Sequence, residues 1–334
     1  MSDQGSRILR WGLLSTARIN RLIIPAIRAS ARSDVTTVAS RSREKAETYA
    51  AEWGIPRVHA SYEALLADPE IDVIYIGLPN SLHVEWTIKS LEAGKYVLCE
   101  KPLALTVDDV DRVADAVRRT GCAAAEAFMY RHHPLTRAVQ DVVKSGRLGE
   151  VRGFKGAFTF PLTRNGDVRL DPSLGGGSLW DVGCYPVSYT CLLADDAPAE
   201  VCGWQQVSPS GVDLEFAGMM RFSGGSVAQF DCGFVGPFRA EMEVIGRDGA
   251  LRIVRPFRTD HRSQLLLTAG DVTEHLLFSD EDPFAGEIAD MEAVALDGRA
   301  QRIPLAESRR TVAAIAALYR SAREGTTFSL RARP

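Results

Sequence analysis

The first 127 residues of the chain alternate between two hydrophobic rhythms, and that alternation limits the possible fold more than any other feature. Short apolar runs at Ile8–Leu14, Val35–Ser40, Val73–Leu78, Tyr96–Glu100 and Cys122–Ala127 read as strands. Between them apolar residues recur at helical spacing, as in Val84, Ile88 and Leu91, then Val110, Val113 and Val117. Strands that are apolar throughout are covered on both faces. Strand–helix alternation of this kind predicts an α/β domain with a doubly wound parallel sheet.

Beyond residue 127 the pattern changes to a period of two. Phe154, Gly156, Phe158 and Phe160 form one series; Leu214, Phe216, Gly218, Met220 and Phe222 form another; Ala228, Phe230, Cys232 and Phe234 form a third. Each predicts a strand with one buried face, in a large, open, mostly antiparallel sheet. A last helix is predicted over Leu305–Glu324, with Val312, Ile315, Ala316 and Tyr319 in one stripe and Gly325 as its stop. A chain of 334 residues exceeds one ordinary core. The expected division is a nucleotide-binding-type domain, 1–127, and an α+β domain, 128–334. The last helix is expected to pack back on the first domain.

Several function classes are excluded early. The 39 basic and 43 acidic residues are interleaved, with a net charge of −4, so no basic footprint for nucleic acid or a membrane surface exists. No apolar run approaches the roughly 20 residues that span a bilayer. The opening Met1–Ser6 segment lacks the apolar core of a signal peptide. Six cysteines, at 99, 122, 184, 191, 202 and 232, form neither a Cys-x-x-Cys pair nor a disulfide framework. The expectation is a cytoplasmic protein.

The first strand-to-helix turn reads Ser15-Thr16-Ala17-Arg18-Ile19-Asn20. A dinucleotide fingerprint places glycines where this chain has Ser15, Ala17 and Asn20. Small residues still allow a pyrophosphate close to the helix start, and Ser15 and Thr16 offer hydroxyls. Asn20 implies looser packing of helix on strand, and Pro25 a kink. An ordinary turn is an equal reading of these residues alone. The second strand ends in Ser40-Arg41-Ser42-Arg43, without a carboxylate until Glu44. An acidic residue there would bind both ribose hydroxyls of NAD. Hydroxyls and a guanidinium instead suit a 2′-phosphate, so NADP(H) is the expected cofactor. Alternatively the arginines only solvate the next helix.

Three separated motifs carry more. They are Pro79-Asn80-Ser81-Leu82-His83, Glu100-Lys101-Pro102, and Gly175-Gly176-Gly177-Ser178-Leu179-Trp180-Asp181-Val182-Gly183-Cys184-Tyr185. Together they resemble the glucose–fructose oxidoreductase/inositol dehydrogenase/MocA family of two-domain oxidoreductases, whose first domain is a Rossmann fold. The resemblance covers essentially the whole chain, including the closing Leu318–Gly325, LYRSAREG. It implies that Lys101 lies beside the nicotinamide and steadies charge on the substrate oxygen, that Glu100 orients the site, and that the Lys101–Pro102 peptide is cis. It also implies cofactor contacts from Leu78, Asn80, His83 and Arg131.

The family's usual pattern is Asp-x-x-x-His, whereas this chain has Asp181 and Tyr185. That departure resembles the branch of glucose–fructose oxidoreductase, dimeric dihydrodiol dehydrogenase, xylose-type aldose dehydrogenases and sugar ketoreductases. Tyr185 is then the candidate acid/base, a lysine cation favouring its phenolate. Asp181 would orient Lys101 or bind a substrate hydroxyl. The plainer alternatives are a core aromatic, a helix N-cap and a surface lysine. Phe160 and Arg169 are further candidate substrate contacts, with Asp167 nearby. His132 and His133 have no clustered partners, so no metal is expected.

The resulting expectation is an NADP(H)-dependent oxidoreductase that moves hydride between nicotinamide and a hydroxyl or carbonyl carbon of a sugar or cyclic polyol. Alternatives are a trans-dihydrodiol dehydrogenase, a non-catalytic nucleotide-sensing regulator of the same fold, and an enzyme that never releases its nucleotide. A homodimer or homotetramer through the C-terminal sheet is expected.

Overall fold

The computed structural model describes residues 7–164 and 166–330. The amino-terminal six residues, and Asn165 in the loop that carries Arg169, lie outside the described residues. The chain divides into two compact units. The first holds residues up to Ala104, Asp108–His132 and Phe284–Leu305; the second holds Leu105–Val107, His133–Pro283 and the remainder from Ala306.

In the first unit the order is β1 (Leu9–Leu14), α1 (Asn20–Ala29), β2 (Ser33–Ala39), α2 (Arg43–Trp53), β3 (Arg57–His59) and α3 (Tyr62–Leu66). Then come β4 (Val73–Ile76), α4 (His83–Glu92), β5 (Tyr96–Glu100), α5 (Val107–Thr120) and β6 (Ala124–Ala127). The six strands form one parallel sheet in the order β3-β2-β1-β4-β5-β6. Strand β4 is buried at all four residues, which is why its sequence is an unbroken apolar run. The edge strand β3 was not foreseen, because three half-buried residues carry no hydrophobic period. The other expected strands are present: β5 keeps its expected bounds, β1, β4 and β6 are shorter, and β2 begins earlier, at Ser33. Ser40 and Leu78 pass into the turns that follow β2 and β4. Pro25 stands inside α1.

The second unit contains α6 (Pro134–Lys144), β7 (Val151–Thr159), α7 (Cys184–Ala194) and the strands β8 (Glu200–Val207), β9 (Asp213–Arg221) and β10 (Val227–Gly233). It continues with β11 (Arg239–Gly246), β12 (Ala250–Val254), β13 (Gln264–Ala269) and β14 (Val272–Leu276). After α8 (Ala285–Asp297), which belongs to the first unit, come α9 (Leu305–Glu324) and β15 (Phe328–Ser329). Nine strands form one sheet in the order β14-β13-β12-β11-β7-β10-β9-β8-β15. Only β7 and β10 pair in parallel; the other neighbours run antiparallel. The alternating residues Phe154, Phe158, Phe216, Met220, Ala228 and Phe230 are buried as their period requires.

Helix α8 belongs to the first unit. Ser30 and Ser33 both donate to Glu292 of α8, at 2.5 and 2.6 Å, and Arg32 pairs with Asp297 at 2.6 Å. Helix α9 lies on the second sheet. A Cβ on Gly203 of β8 or Gly218 of β9 would meet Leu318 of α9 at 3.0 or 3.1 Å, so these glycines make the room it needs.

Candidate active site

The turn after β1 keeps a glycine's backbone without a glycine. Ser15 takes a φ of 133°, a conformation L side chains rarely adopt. Its hydroxyl donates to the Gly77 carbonyl at 3.0 Å, so it holds the turn rather than standing ready for a phosphate. Asn20 does not loosen the helix as expected. It is buried, and its side chain donates to the Ser15 carbonyl at 2.8 Å. The clearance comes from Gly77, where a Cβ would press on Ala17, Ile19 and Asn20 at 3.2 to 3.3 Å. Thr16, Ala17 and Ile19 are half-buried and Arg18 is exposed. The geometry of a close-approach nucleotide turn is therefore present, built from different residues.

After β2, Ser40 is buried and Arg41 exposed. Ser42 is the N-cap of α2, its hydroxyl accepting from the Lys45 amide at 3.3 Å. Arg43 pairs with Glu47 at 2.8 Å. Arg41 instead lies against the Tyr62 hydroxyl, whose pKa burial raises and Arg41 lowers, with burial prevailing.

The loop bearing Lys101 follows β5, at the carboxyl end of the sheet, where ligands of doubly wound folds bind. Three buried groups grip it. The Tyr75 hydroxyl of β4 donates to Glu100. A ring nitrogen of His83 lies 2.8 Å from the Pro102 carbonyl, and Glu126 of β6 accepts from the Leu103 amide at 2.9 Å. The Lys101–Pro102 peptide is cis. Lys101 itself is half-buried.

His83 is a correction to the expected cofactor contacts. Its side chain is fully buried, with the second ring nitrogen 2.8 Å from the Leu78 carbonyl. Burial pushes its pKa below the ordinary histidine value. Both ring nitrogens face backbone carbonyls, and a neutral ring donates to one of them at a time, so the side chain lies between the turn after β4 and the Lys101 loop. Asn80 is half-buried at the start of a short 3₁₀ turn, Asn80–Leu82. Arg131 is buried in another, Met129–Arg131. His133 caps α6 by accepting from the Leu135 amide. Among the described residues no group of three or more metal-ligating side chains is placed to hold an ion.

In the second unit, Asp181 lies in a turn of π-helix, Leu179–Gly183, that runs directly into α7. Such turns are common at functional sites. Tyr185 opens α7. Its ring is 6% exposed and packs against Phe158 and Phe257, with centroids 5.3 and 5.4 Å away. Sequence reasoning did not foresee what holds Asp181. Arg169 donates to it through Nε at 2.6 Å and to Asp167 through Nη1 at 3.1 Å. Asp181 above all, and Asp167, push the Arg169 pKa above its ordinary value, against the effect of burial. The guanidinium also stands 6.0 Å from the half-buried Phe160 ring. Phe160, Arg169, Asp167 and Asp181 thus form one cluster of an aromatic face and charged hydrogen-bonding groups.

Tyr75, Glu126 and Asp213 were missed by sequence reasoning. The available signal was a polar residue inside an apolar run, clearest for Glu126 in Ala-Ala-Glu-Ala.

A nucleotide-binding sheet with a lysine loop at its carboxyl edge, joined to an open-sheet unit carrying an acid–tyrosine helix, defines a two-unit nucleotide-dependent oxidoreductase. Residues 9–128 match the model of an oxidoreductase family with an NAD-binding Rossmann fold, and residues 136–252 match the GFO/IDH/MocA C-terminal domain. The chain is 36% identical over 328 residues to a D-xylose 1-dehydrogenase (NADP(+)) of Haloferax volcanii, covering 96% of this chain and 100% of that one. It is 35% identical over 288 residues to a dTDP-3,4-didehydro-2,6-dideoxy-α-D-glucose 3-reductase of Streptomyces violaceoruber, covering 85% and 84%. A 3-ketoreductase from Actinomadura kijaniata, solved with NADP and TDP-benzene, superposes with a TM-score of 0.90 at 29% identity, over 94% of this chain and 98% of that one. The chain belongs to the GFO/IDH/MocA oxidoreductase family.

Proposed function

We propose that this protein is an NADP(H)-dependent oxidoreductase acting on a hydroxyl or carbonyl carbon of a sugar or cyclic polyol. The first unit binds the nucleotide and the second the substrate. The observation that carries the reading is the grip on the Lys101 loop by Tyr75, His83 and Glu126, because a solvated surface lysine has no need of buried hydrogen bonds from three elements.

The residues fit the cofactor. The Ser15 backbone and the cramped Gly77 leave the turn after β1 open to a pyrophosphate, held by residues 15–19. Ser40, Arg41 and Ser42 suit a 2′-phosphate, with Leu78, Asn80, Glu100 and Arg131 completing the site. The named relatives that use or hold NADP support this choice.

When bound, the nicotinamide supplies or accepts the hydride. The chain's part is to manage the oxygen and its proton. Lys101 donates a hydrogen bond through Nζ to the substrate oxygen and offsets its developing charge. Tyr185 takes or gives the proton at Oη. Asp181 is held by Arg169 and accepts from a second substrate hydroxyl, while Phe160 offers a flat apolar surface to a sugar ring. Sugar-acting relatives support the substrate class. Dihydrodiol oxidation is the second reading, since a trans-1,2-dihydrobenzene-1,2-diol dehydrogenase of Xenopus laevis is 31% identical over 247 residues.

The same reading makes the enzyme a homodimer or homotetramer through the nine-stranded sheet. By register, Trp204, Met219, Gln229, Asp231, Glu241 and Glu243 share one face, on which Trp204 is 60% exposed and Met219 43%. None of the six cysteines forms a disulfide, which suits the cytoplasm. Among the described residues no helix is long and apolar enough to cross a membrane.

The test is a panel of aldoses, nucleotide sugars and dihydrodiols assayed at 340 nm with both cofactors. Turnover of a sugar with NADP(H) is expected. No turnover of any member, with tight nucleotide binding, would favour a regulator instead.

A further inference from the structure

The closing LYRSAREG motif has no part in the chemistry above, yet its tyrosine reaches the base of the helix that carries Asp181 and Tyr185. Asp213, the first residue of β9, is 3% exposed. Its Oδ2 accepts from the Ser178 hydroxyl at 2.6 Å and from the Leu179 amide at 2.8 Å. Its Oδ1 accepts from the Tyr319 hydroxyl at 2.6 Å. Leu179 opens the π-helical turn, so its amide is one of the N–H groups that a helix start leaves unsatisfied. One carboxylate therefore joins a strand, the last helix and the first residues of the helix bearing the acid/base.

The surrounding residues are shaped to this junction. Gly177 takes a φ of 123°, and a Cβ there would strike Asp213 and stand 2.7 Å from the Tyr319 hydroxyl. The third glycine of the Gly-Gly-Gly-Ser motif is thus required by the Asp213–Tyr319 pair. The Tyr319 ring packs against Trp180, the neighbour of Asp181, at 5.7 Å and against Phe216 of β9 at 5.6 Å. A buried carboxylate whose donors are two hydroxyls and an amide is a poor way to gain stability. It does fix direction, because each donor ties down a different atom of the helix start or its support.

We infer that Asp213, held by Tyr319, is the positioning residue of the catalytic helix, setting where Asp181 and Tyr185 stand. The inference rests on Tyr185 being the acid/base proposed above. Small displacements of a catalytic group are expensive in rate, on the order of a hundredfold for about 1 Å. Partial loosening of the anchor should therefore appear in kcat before it appears in folding or nucleotide binding.

The experiment uses Tyr319→Phe, which keeps the ring between Trp180 and Phe216 and removes only the donor to Asp213. Its kcat should fall about tenfold, with KM for NADPH unchanged and the melting temperature within about 4 °C. Ser178→Ala, which removes another donor to the same carboxylate, should reproduce the kcat loss. The double variant should lose less than the product of the two single effects, because both act through Asp213. Asp213→Asn is the more severe variant, and Tyr319→Phe decides the matter if that protein fails to fold. Wild-type kcat in a folded Tyr319→Phe protein overturns the inference. So does a kcat loss no larger than the loss of folded protein, which marks a merely structural contact. Tyr185→Phe is run beside it. If that variant retains full turnover, the acid/base reading fails and the inference with it. If it is inactive while Tyr319→Phe is normal, the positioning role alone fails.

Discussion

Replacing Arg169 tests the proposed substrate role of its cluster most directly. In Arg169→Met the side chain keeps a similar length but no longer answers Asp181 at 2.6 Å or Asp167 at 3.1 Å. The two carboxylates are only 14% and 6% exposed, whereas Arg169 is 40% exposed. Removing one partner of a fully buried ion pair costs about 3–5 kcal/mol. The arginine is more than a third exposed, so solvent screening reduces this to about 2 kcal/mol. For a unit of this size the loss corresponds to a fall in melting temperature of about 4–8 °C. The kinetic effect should be larger, because Asp181 loses the partner that fixes its orientation. A fall in kcat/KM of about 10–100-fold is expected. Arg169→Lys restores the charge without the planar fork, so it should recover most of the stability and only part of the rate. Thermal melts at pH 7 and steady-state kinetics on the best substrate of the panel measure both effects. Wild-type melting and wild-type kcat/KM in Arg169→Met would refute the role assigned to the cluster.

Other outcomes follow from the same geometry. Tyr185→Phe should lower kcat by about 10²–10⁴-fold with nucleotide affinity retained, and Lys101→Ala should be at least as damaging. Near wild-type turnover in Tyr185→Phe, with chemistry rate-limiting, would remove the tyrosine from the mechanism. The enzyme should prefer NADP(H) over NAD(H) by at least about tenfold in kcat/KM, or about 1.4 kcal/mol. Arg41→Ala should lose most of that preference while leaving NAD(H) turnover nearly unchanged; equal wild-type efficiency with both cofactors would sink the assignment. Burial raises the Asp72 carboxyl, but hydrogen bonds from Arg10 and Arg7 outweigh it and hold the pKa below the ordinary value. Its stabilisation is then complete above the unfolded carboxylate value of about 3.9 and lost as pH falls through the lower, folded one. Denaturant midpoints from pH 6 down to 3 should show this acid loss weakened in Asp72→Asn, and an unchanged profile would argue against it.

The first sheet was legible because its central strands are buried on both faces. Tyr75 alone interrupts the aliphatic run of β4, and its hydroxyl has a specific partner in Glu100. The second sheet was legible for the opposite reason, since Phe216 and Met220 are buried while Ala217 and Met219 beside them are exposed. The three motifs located Lys101, Asp181 and Tyr185 on the turns and helix expected of them. Two local inferences failed at the nucleotide turn. Ser15 was read through its hydroxyl, whereas what it contributes is a backbone angle, and the space credited to residues 15 and 17 depends on Gly77, 62 residues after Ser15 in the chain. Partners that distant leave no trace in local spacing. The same holds for Glu292, which receives two hydroxyls from the start of the chain and draws α8 into the first unit.

The contacts that escaped the sequence reading share a physical type. The Lys101 loop is steadied by Tyr75, His83 and Glu126, and the Tyr185 helix by Ser178, Asp213 and Tyr319, all buried or nearly buried polar side chains. An apolar contact holds two elements together but tolerates sliding, whereas a hydrogen bond specifies atoms, distance and direction. Groups that must meet a reacting oxygen to within a fraction of an ångström need the second kind of contact. Burial makes these bonds costly to leave unmade, and so makes the loop and the helix single-valued. On this basis Glu126→Gln, which keeps an acceptor for the Leu103 amide at 2.9 Å, should leave Lys101 closer to its native place than Glu126→Ala, which keeps none.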